Sequence, residues 1–338
     1  MNPQSATNLR LVADFHSSMF QKGGPLAIHQ PIVVVGSINI DLVATSPRIP
    51  SIGETIIGSG FQIHPGGKGA NQAVSIGRLG YPVRMIGRVG DDAFGSQLLG
   101  DLKSAGVDCE GVAISEGSSG VAIILVSERG ENCIVVTPGA NALLAPADID
   151  ANIGAIRSAG MVLAQLETPI ETIEHLADVC LREQVPLMLD PAPPRPLSED
   201  LLQAVEWFTP NESEAEFYIE AALTTVSPED CARRILAKGC KGVVLKMGGR
   251  GAYIRCEDAA ESIAPFAVNA VDTTAAGDAF NGAFATALML GNSSVDSARF
   301  AAAAAAISVT RAGAQPSMAS MDEVRHLLAH SRLHEKLV

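Results

Sequence analysis

The residues best suited to chemistry in this chain are Asp272-Thr273-Thr274-Ala275-Ala276-Gly277-Asp278. Beyond Asp278, the residues Phe280, Ala283, Phe284, Ala287 and Leu288 recur at helical spacing, and Gly291 supplies a stop. The small residues therefore form a loop that ends in the first turn of a helix. Such a turn presents unpaired backbone N–H groups and the positive end of the helix dipole, a combination that receives anions. Two alanines and a glycine let a bulky phosphate approach the backbone of Ala275, Ala276 and Gly277. A carboxylate in the same turn, Asp278, can take the proton from a hydroxyl nucleophile, as phosphoryl transfer requires. Taken alone, the segment reads more readily as ordinary capping and packing; an ordered set of upstream segments reverses that preference.

Gly36-Ser37-Ile38-Asn39-Ile40-Asp41 follows the first strand, where ligands of open α/β sheets lie. Asn39 and Asp41 suit the adjacent hydroxyls of a sugar, with an Asx turn as the plain alternative. Pro65-Gly66-Gly67-Lys68-Gly69-Ala70-Asn71-Gln72 is a glycine-lined turn entering a helix. It is not a Walker A loop, because Gly69 stands where Ser or Thr should follow the lysine. Its exposed backbone, with Lys68 and Asn71, can clasp a polar ligand. Glu167, in Gln165-Leu166-Glu167-Thr168-Pro169, places a further carboxylate at a strand end. Asn211 caps a helix whose first two turns carry Glu212, Glu214 and Glu216, more acid than capping needs and suited to organising Mg²⁺. Lys246-Met247-Gly248-Gly249-Arg250-Gly251 is a glycine turn between strands, able to lie flat against a nucleotide or to be a simple hairpin.

These segments need a scaffold, and the alternation along the chain supplies one. Strands are expected at Ile32–Gly36, Val83–Ile86, Met161–Gln165, Pro186–Asp190 and Gly242–Lys246, with helices near 70–79, 93–105, 170–184, 211–220 and 228–238. That rhythm implies parallel βαβ units and a sheet sandwiched by helices. Two stretches break it. Residues 42–65 hold strand-like Glu54-Thr55-Ile56-Ile57 and Phe61-Gln62-Ile63 without a helix, and 119–137 read as a hairpin. A small separate sheet, placed as a lid, accounts for both. Residues 1–29 lack periodicity and are expected to be a loose extension, with Met19 an alternative start; residues 30–338 then form the folded body.

Bulk properties narrow the class. A net charge of −13 disfavours nucleic acid and acidic membranes as partners, yet leaves room for a small anion at a helix terminus. No run is long enough for a membrane-spanning helix, and no secretory leader is evident. The six cysteines, Cys109, Cys133, Cys180, Cys231, Cys240 and Cys256, are scattered, which points to a reduced cytoplasmic setting. His326, His330 and His334 share a helical face that reads as solvated rather than metal-binding.

Gly36-Ser37-Ile38-Asn39-x-Asp41, Gly66-Gly67-Lys68-Gly69-Ala70-Asn71-Gln72-Ala73, Gln165-Leu166-Glu167-Thr168-Pro169, Pro210-Asn211-Glu212-x-Glu214 and Asp272-Thr273-x-Ala275-Ala276-Gly277-Asp278 come in one fixed order. From about Pro31 to Ser317 this order resembles the ribokinase group of the PfkB carbohydrate kinases. The resemblance implies a ribokinase-like three-layer αβα sandwich with a mostly parallel central sheet and a small β-sheet lid. It implies transfer of the γ-phosphoryl of ATP to the 5-hydroxyl of D-ribose, with Asp278 as base and the N–H groups of Ala275 to Asp278 as anion hole. Asn39, Ile40, Asp41, Gly67, Lys68, Gly69, Ala70, Asn71 and Glu167 would surround the sugar. Asn211 and Lys246 to Gly251 would border ATP, with Glu214 assisting Mg²⁺. Asp272, Thr274, Ser308, Arg311, Gly313 and Ser317 would enclose K⁺, several through backbone oxygens. The resemblance also implies a homodimer joined through the lids, which would cover their strand edges. Two positions depart from the usual pattern: Lys246 stands where Thr is common, and Asp190 replaces the Asn of Asn-Pro-Ala-Pro. A kinase of the same family for fructose, 2-keto-3-deoxygluconate or a nucleoside is the alternative, followed by a non-catalytic sugar sensor. A dinucleotide dehydrogenase is disfavoured because no Gly-x-Gly-x-x-Gly follows the first strand.

Overall fold

Ile32, Val33, Val34 and Val35 are all buried, and they alternate between two cores, Ile32 and Val34 in one and Val33 and Val35 in the other. A strand apolar on both faces needs cover on both. The computed structural model, which describes residues 29–335, shows helices supplying it. The expected extension, Met19 included, lies outside the described residues apart from His29.

In chain order the strands are β1 (Ile32–Val35), β2 (Asn39–Ser46), β3 (Gly60–Gly66), β4 (Val83–Gly90), β5 (Val107–Ser115), β6 (Gly120–Ser127), β7 (Asn132–Thr137), β8 (Met161–Ala164), β9 (Leu187–Leu189), β10 (Val205–Phe208), β11 (Gly242–Lys246), β12 (Ala252–Arg255) and β13 (Ala260–Ile263). Nine of them form one sheet in the order β13-β12-β11-β10-β9-β8-β1-β4-β5. Within it β12 alone runs against the rest, pairing antiparallel with β11 and β13. One face packs on the helices Lys68–Arg78, Ala93–Ser104, Ala276–Met289 and Ser294–Ser308; the other packs on Ile170–Glu183, Glu212–Ile219 and Pro228–Leu236. The chain is a three-layer αβα sandwich.

The second sheet, β3-β2-β6-β7, is small. β2 pairs antiparallel with β3 and parallel with β6, and β7 closes the far edge. Only Gly36, Ser37 and Ile38 separate β1 from β2, so the small sheet grows directly from the ligand end of the large one. The expected strand at Glu54–Ile57 is absent; those residues form an irregular connection, where Glu54 instead pairs with Arg48. Three strands of the large sheet, β5, β10 and β13, were not evident in the sequence, and β12 was evident only as the strand that follows the Lys246–Gly251 turn. β5 is broken up by polar residues, and β10 follows the short helix Glu199–Ala204 with no intervening turn residue.

Among the described residues no helix is long and apolar enough to cross a membrane.

Candidate active site

The helix Ala276–Met289 begins at Ala275, whose φ of +58° is left-handed and which offers no side-chain cap. A non-glycine residue held there costs about 1–2 kcal/mol. Ala276 donates its N–H to Thr273 O at 3.3 Å, so one of the four groups expected to face an anion is engaged within the turn. The helix lies close against Lys68–Arg78: a β-carbon on Gly282 would fall 2.6 Å from that of Ser75, and Ser75 Oγ donates to Ala279 O at 3.2 Å. This crossing brings Asn71 and Gln72 onto Asp278. Asn71 Nδ2 donates to Asp278 Oδ2 at 3.0 Å, and Gln72 Nε2 donates to Asp278 Oδ1 at 3.2 Å. Asp278 is only 4% exposed. Burial pushes its pKa up to about 6; Lys68 opposes the rise and Asp190 adds to it.

On one side of Asp278 lies the junction of β1 and β2. Gly67, at φ +88°, has its α-carbon so close to the chain that a β-carbon would stand 2.7 Å from Asn39 N. That contact locks the start of the Lys68–Arg78 helix under the small sheet. Asn39 Oδ1 accepts from Asn141 Nδ2 at 2.7 Å, and Asn141 Oδ1 accepts from Ile38 N at 2.9 Å. Asn141 sits in the single turn Gly139–Leu143 and was not evident in the sequence; its one local signal is Gly139, two residues before it and just after the hairpin. Glu167 accepts from Ser37 Oγ at 2.5 Å and from Lys68 N at 3.3 Å. Asp41 is pushed up to about 6, first by burial and then by Glu167 and Asp278. Gly69 and Ala70 belong to the buried first turn, where Ala70 N donates to Ser37 O at 2.9 Å. The Ile40 side chain is fully buried in the core, which leaves only its main chain for a ligand. Among the described residues Asn71 Oδ1 is buried without a hydrogen-bond partner, an acceptor free for a hydroxyl.

On the other side opens a cavity of about 770 Å³, lined by Lys68, Asp190, Asn211, Glu214, Lys246, Gly248, Gly249, Gly251 and the turn Ala275–Asp278. Its far wall is apolar: Phe266, Val268, Ala302, Ala305 and Val309, none of which was evident as a site residue in the sequence. Met247 is buried among core residues, and Arg250 pairs with Glu212, so neither lines the cavity. Lys246 Nζ donates to Asp190 Oδ1 at 2.9 Å. Burial pulls the Lys68 ammonium's pKa down, but Asp278, Asp190, Glu167 and Glu214 more than offset this and leave it raised.

The three carboxylates after Asn211 each have a structural partner. Glu214 completes a capping box with Asn211, accepting from its N at 2.7 Å and its Nδ2 at 2.7 Å. Glu212 takes Arg250, and Glu216 accepts from Leu223 N at 2.7 Å. Of the three, only Glu214 borders the cavity; its pKa is raised, first by burial and then by Asp190. At the loop before the turn, Asp272 accepts from Thr274 N at 2.9 Å and Gly313 N at 2.8 Å, drawing 272–274 against 311–317. Ser308 Oγ donates back to Ala305 O within the preceding helix, Ser317 Oγ donates to Ala314 O, and Arg311 is turned to Glu323. The donors that remain are oxygens, which suit a hard cation; Arg311 has only its carbonyl to offer. Among the described residues no His, Cys, Asp and Glu cluster of metal-binding type occurs, and His326 and His330 stack on each other at 4.0 Å. The His334 side chain lies outside those described.

A buried carboxylate at a helix start, between a glycine-edged cavity and a polar cleft, is the layout of a phosphotransferase that acts on an alcohol. The pfkB family carbohydrate kinase profile matches residues 29–321. Ribokinase of Bacillus subtilis (strain 168) is 40% identical over 300 residues, covering 88% of this chain and 99% of that protein. Deoxyribokinase of Salmonella typhi is 35% identical over 301 residues, covering 88% and 98%. The structure of Arabidopsis thaliana ribokinase complexed with ribose and ATP superposes with a TM-score of 0.83 at 34% identity, covering 89% and 99%. The chain belongs to the pfkB family of carbohydrate kinases.

Proposed function

We propose that this protein phosphorylates D-ribose at its 5-hydroxyl with ATP. The observation that carries the reading is Asp278, a buried carboxylate in the first turn of a helix, set where the 770 Å³ cavity meets the cleft under the small sheet. Asp278 accepts the hydroxyl proton as the new O–P bond forms and ADP departs. The N–H groups of Ala275, Gly277 and Asp278 receive the charge on the transferring phosphoryl. Asn39, Asp41, Asn71 and Glu167 read the sugar hydroxyls, with the backbone of Ile40 and of Gly67 to Ala70 closing around them. Asn211, Lys246 and the Gly248–Gly251 turn border the nucleotide, and Met247 and Arg250 hold that turn in place.

The chemistry of the donors fits two cations. Glu214 would act on Mg²⁺ through water, since both its oxygens already serve Asn211. Mg²⁺ neutralises charge on nucleotide phosphates when bound. Asp272, Thr274, Ser308, Gly313, Ser317 and the Arg311 carbonyl would hold K⁺ and thereby fix the loop that precedes the anion-binding turn. Phe61 and Ile63 on β3, Ile123 on β6, and Ile134, Val135 and Val136 on β7 are exposed on the small sheet. Apolar surface of this kind marks an interface, and a homodimer through the small sheets would cover it. Residues 30–338 constitute the kinase domain in this reading, with 1–29 as an extension. All six cysteines are unpaired, which suits a cytoplasmic protein.

The Salmonella typhi deoxyribokinase favours deoxyribose as the second reading. Coupled ADP release across ribose, deoxyribose, fructose, 2-keto-3-deoxygluconate and nucleosides decides. Ribose should give the highest kcat/KM; preference for another acceptor overturns the assignment, and ribose binding without ADP release indicates a sensor.

A further inference from the structure

Lys246 stands at the end of β11, and its backbone is pinned: its N–H donates to Pro210 O at 2.9 Å, and it bridges to Asn211. Its ammonium is carried inward, to 3.4 Å from the position a β-carbon on Gly277 would occupy. It thus lies against the first turn of the Ala276–Met289 helix, where the transferred group is received. Among the described residues its one hydrogen bond is to Asp190 Oδ1 at 2.9 Å, and two of its three N–H donors remain for a ligand. Both side chains are largely withdrawn from water, at 11% and 4% exposure, and both line the cavity.

A buried ion pair is poor evidence of a stabilising role, since neutral groups of similar size often serve as well. Here the pair has a further connection. The second oxygen of Asp190 accepts from Gln72 Nε2 at 3.0 Å, and the same amide donates to Asp278 Oδ1. Asp190 is therefore held from behind by the group that holds the base, and it aims Lys246 at the corner where Asp278 lies. The cavity also contains Glu214 and Asp278, so a triphosphate entering it meets three carboxylates. Lys68 and Lys246 are the lining cations that offset them. Without Lys246, the bare Asp190 carboxylate would face the incoming anion.

We propose that Lys246 binds the terminal phosphate of the nucleotide and that Asp190 is the positioning residue that presents it. This rests on the kinase reading above. On nucleotide binding the ammonium keeps Asp190 as one partner and gives its free donors to phosphate oxygens. The two departures from the family pattern noted in the sequence thus act as one unit.

The test is a titration of wild type, Lys246→Thr, Asp190→Asn and the double variant with ATP, ADP and adenosine in the presence of Mg²⁺, together with KM for ATP and for sugar. Loss of a charge-assisted contact to phosphate should weaken ATP binding by about ten- to a hundred-fold in Lys246→Thr. Adenosine should bind as in wild type and ADP should be less affected than ATP, while KM for sugar stays put. The double variant should recover part of the ATP affinity, because no unpaired carboxylate remains. Equal loss for ATP and adenosine, no loss at all, or a double variant no better than Lys246→Thr overturns the proposal. If Lys246→Thr does not fold, the neutral double variant carries the test: its ATP-to-adenosine affinity ratio must still fall below that of wild type. Wild-type protein that binds neither ATP nor ADP overturns the kinase reading as well, whereas a nucleotide-binding wild type with an unaffected Lys246→Thr overturns only the role of the lysine.

Discussion

Replacing Asp278 with Asn separates the stability of the site from its chemistry. The side chain is buried, and its pKa rises from 3.8 to about 6. Ionising it in the folded protein therefore costs the fold about 3 kcal/mol relative to the unfolded chain. The sign follows from proton uptake. Between pH 3.8 and about 6 the folded state holds more protons than the unfolded one, so stability falls as pH rises and the penalty is complete above about 6. Asn has the same shape and no charge, so it removes that penalty. It also turns an NH₂ toward either Asn71 Nδ2 or Gln72 Nε2, losing one of the two hydrogen bonds at a cost of about 1 kcal/mol. Asp278→Asn should thus be more stable than wild type by about 1–2 kcal/mol at pH 7.5. The advantage should vanish toward pH 4. Turnover should fall by about 10²–10⁴, the usual worth of a positioned base. Urea unfolding at both pH values, paired with coupled ADP release, measures all three. Near-normal turnover would remove Asp278 from the mechanism. A variant destabilised at pH 7.5, or an advantage that grows on acidification, would refute the electrostatic reasoning.

Other perturbations address the shell around the base. Wild-type kcat/KM for sugar should fall as pH drops through about 6, because Asp278 and Asp41 both protonate there, and a flat profile between pH 5 and 7.5 would count against both. Asn141→Ala leaves the buried Ile38 N–H unpaired and releases Asn39; it should cost about 1–3 kcal/mol in urea unfolding and raise KM for sugar while leaving KM for ATP unchanged. Gly67→Ala sets a β-carbon 2.7 Å from Asn39 N at a left-handed φ, so it should destabilise by about 1–2 kcal/mol or more and impair sugar binding first. Exchanging K⁺ for tetramethylammonium should lower kcat in wild type and have little effect in Asp272→Ala, as steady-state rates would report.

Much of the scaffold was legible because its signals are local. β1, β4, β8, β9 and β11 are apolar runs, and the helices expected near 70–79, 93–105, 170–184, 211–220 and 228–238 carry regular periodicity. The βαβ rhythm could therefore be read directly, although the short helix Glu199–Ala204 after β9 was missed. The helix starting beside Asp278 was marked by small residues and a carboxylate in a row. What stayed hidden depends on partners distant in sequence. Asn141 gains its place from Ile38 and Asn39, about a hundred residues away, and the nearby Gly139 marks a turn without revealing those partners. The apolar wall of the cavity comes from Phe266, Val268 and an alanine-rich helix, whose composition reads as plain packing. Glu212 and Glu216 show the converse error: their density suggested a cation site, but Arg250 and Leu223 account for them. Lys246 and Asp190 were visible as two separate oddities, and only their 2.9 Å contact makes them one feature.

In the kinase reading proposed above, that alanine-rich wall is the surface left for the nucleotide base, and it bears on the choice of phosphoryl donor. The side chains of Ala302, Ala305, Ala306, Phe266, Val268 and Val309 on that wall carry no polar atom. A purine laid on such a surface is held by contact and the exclusion of water, forces blind to whether its edge carries an amino or a keto group. Discrimination between adenine and guanine is then left to the main chain, and the enzyme should accept GTP more readily than its tightly polar sugar cleft would accept a foreign pentose.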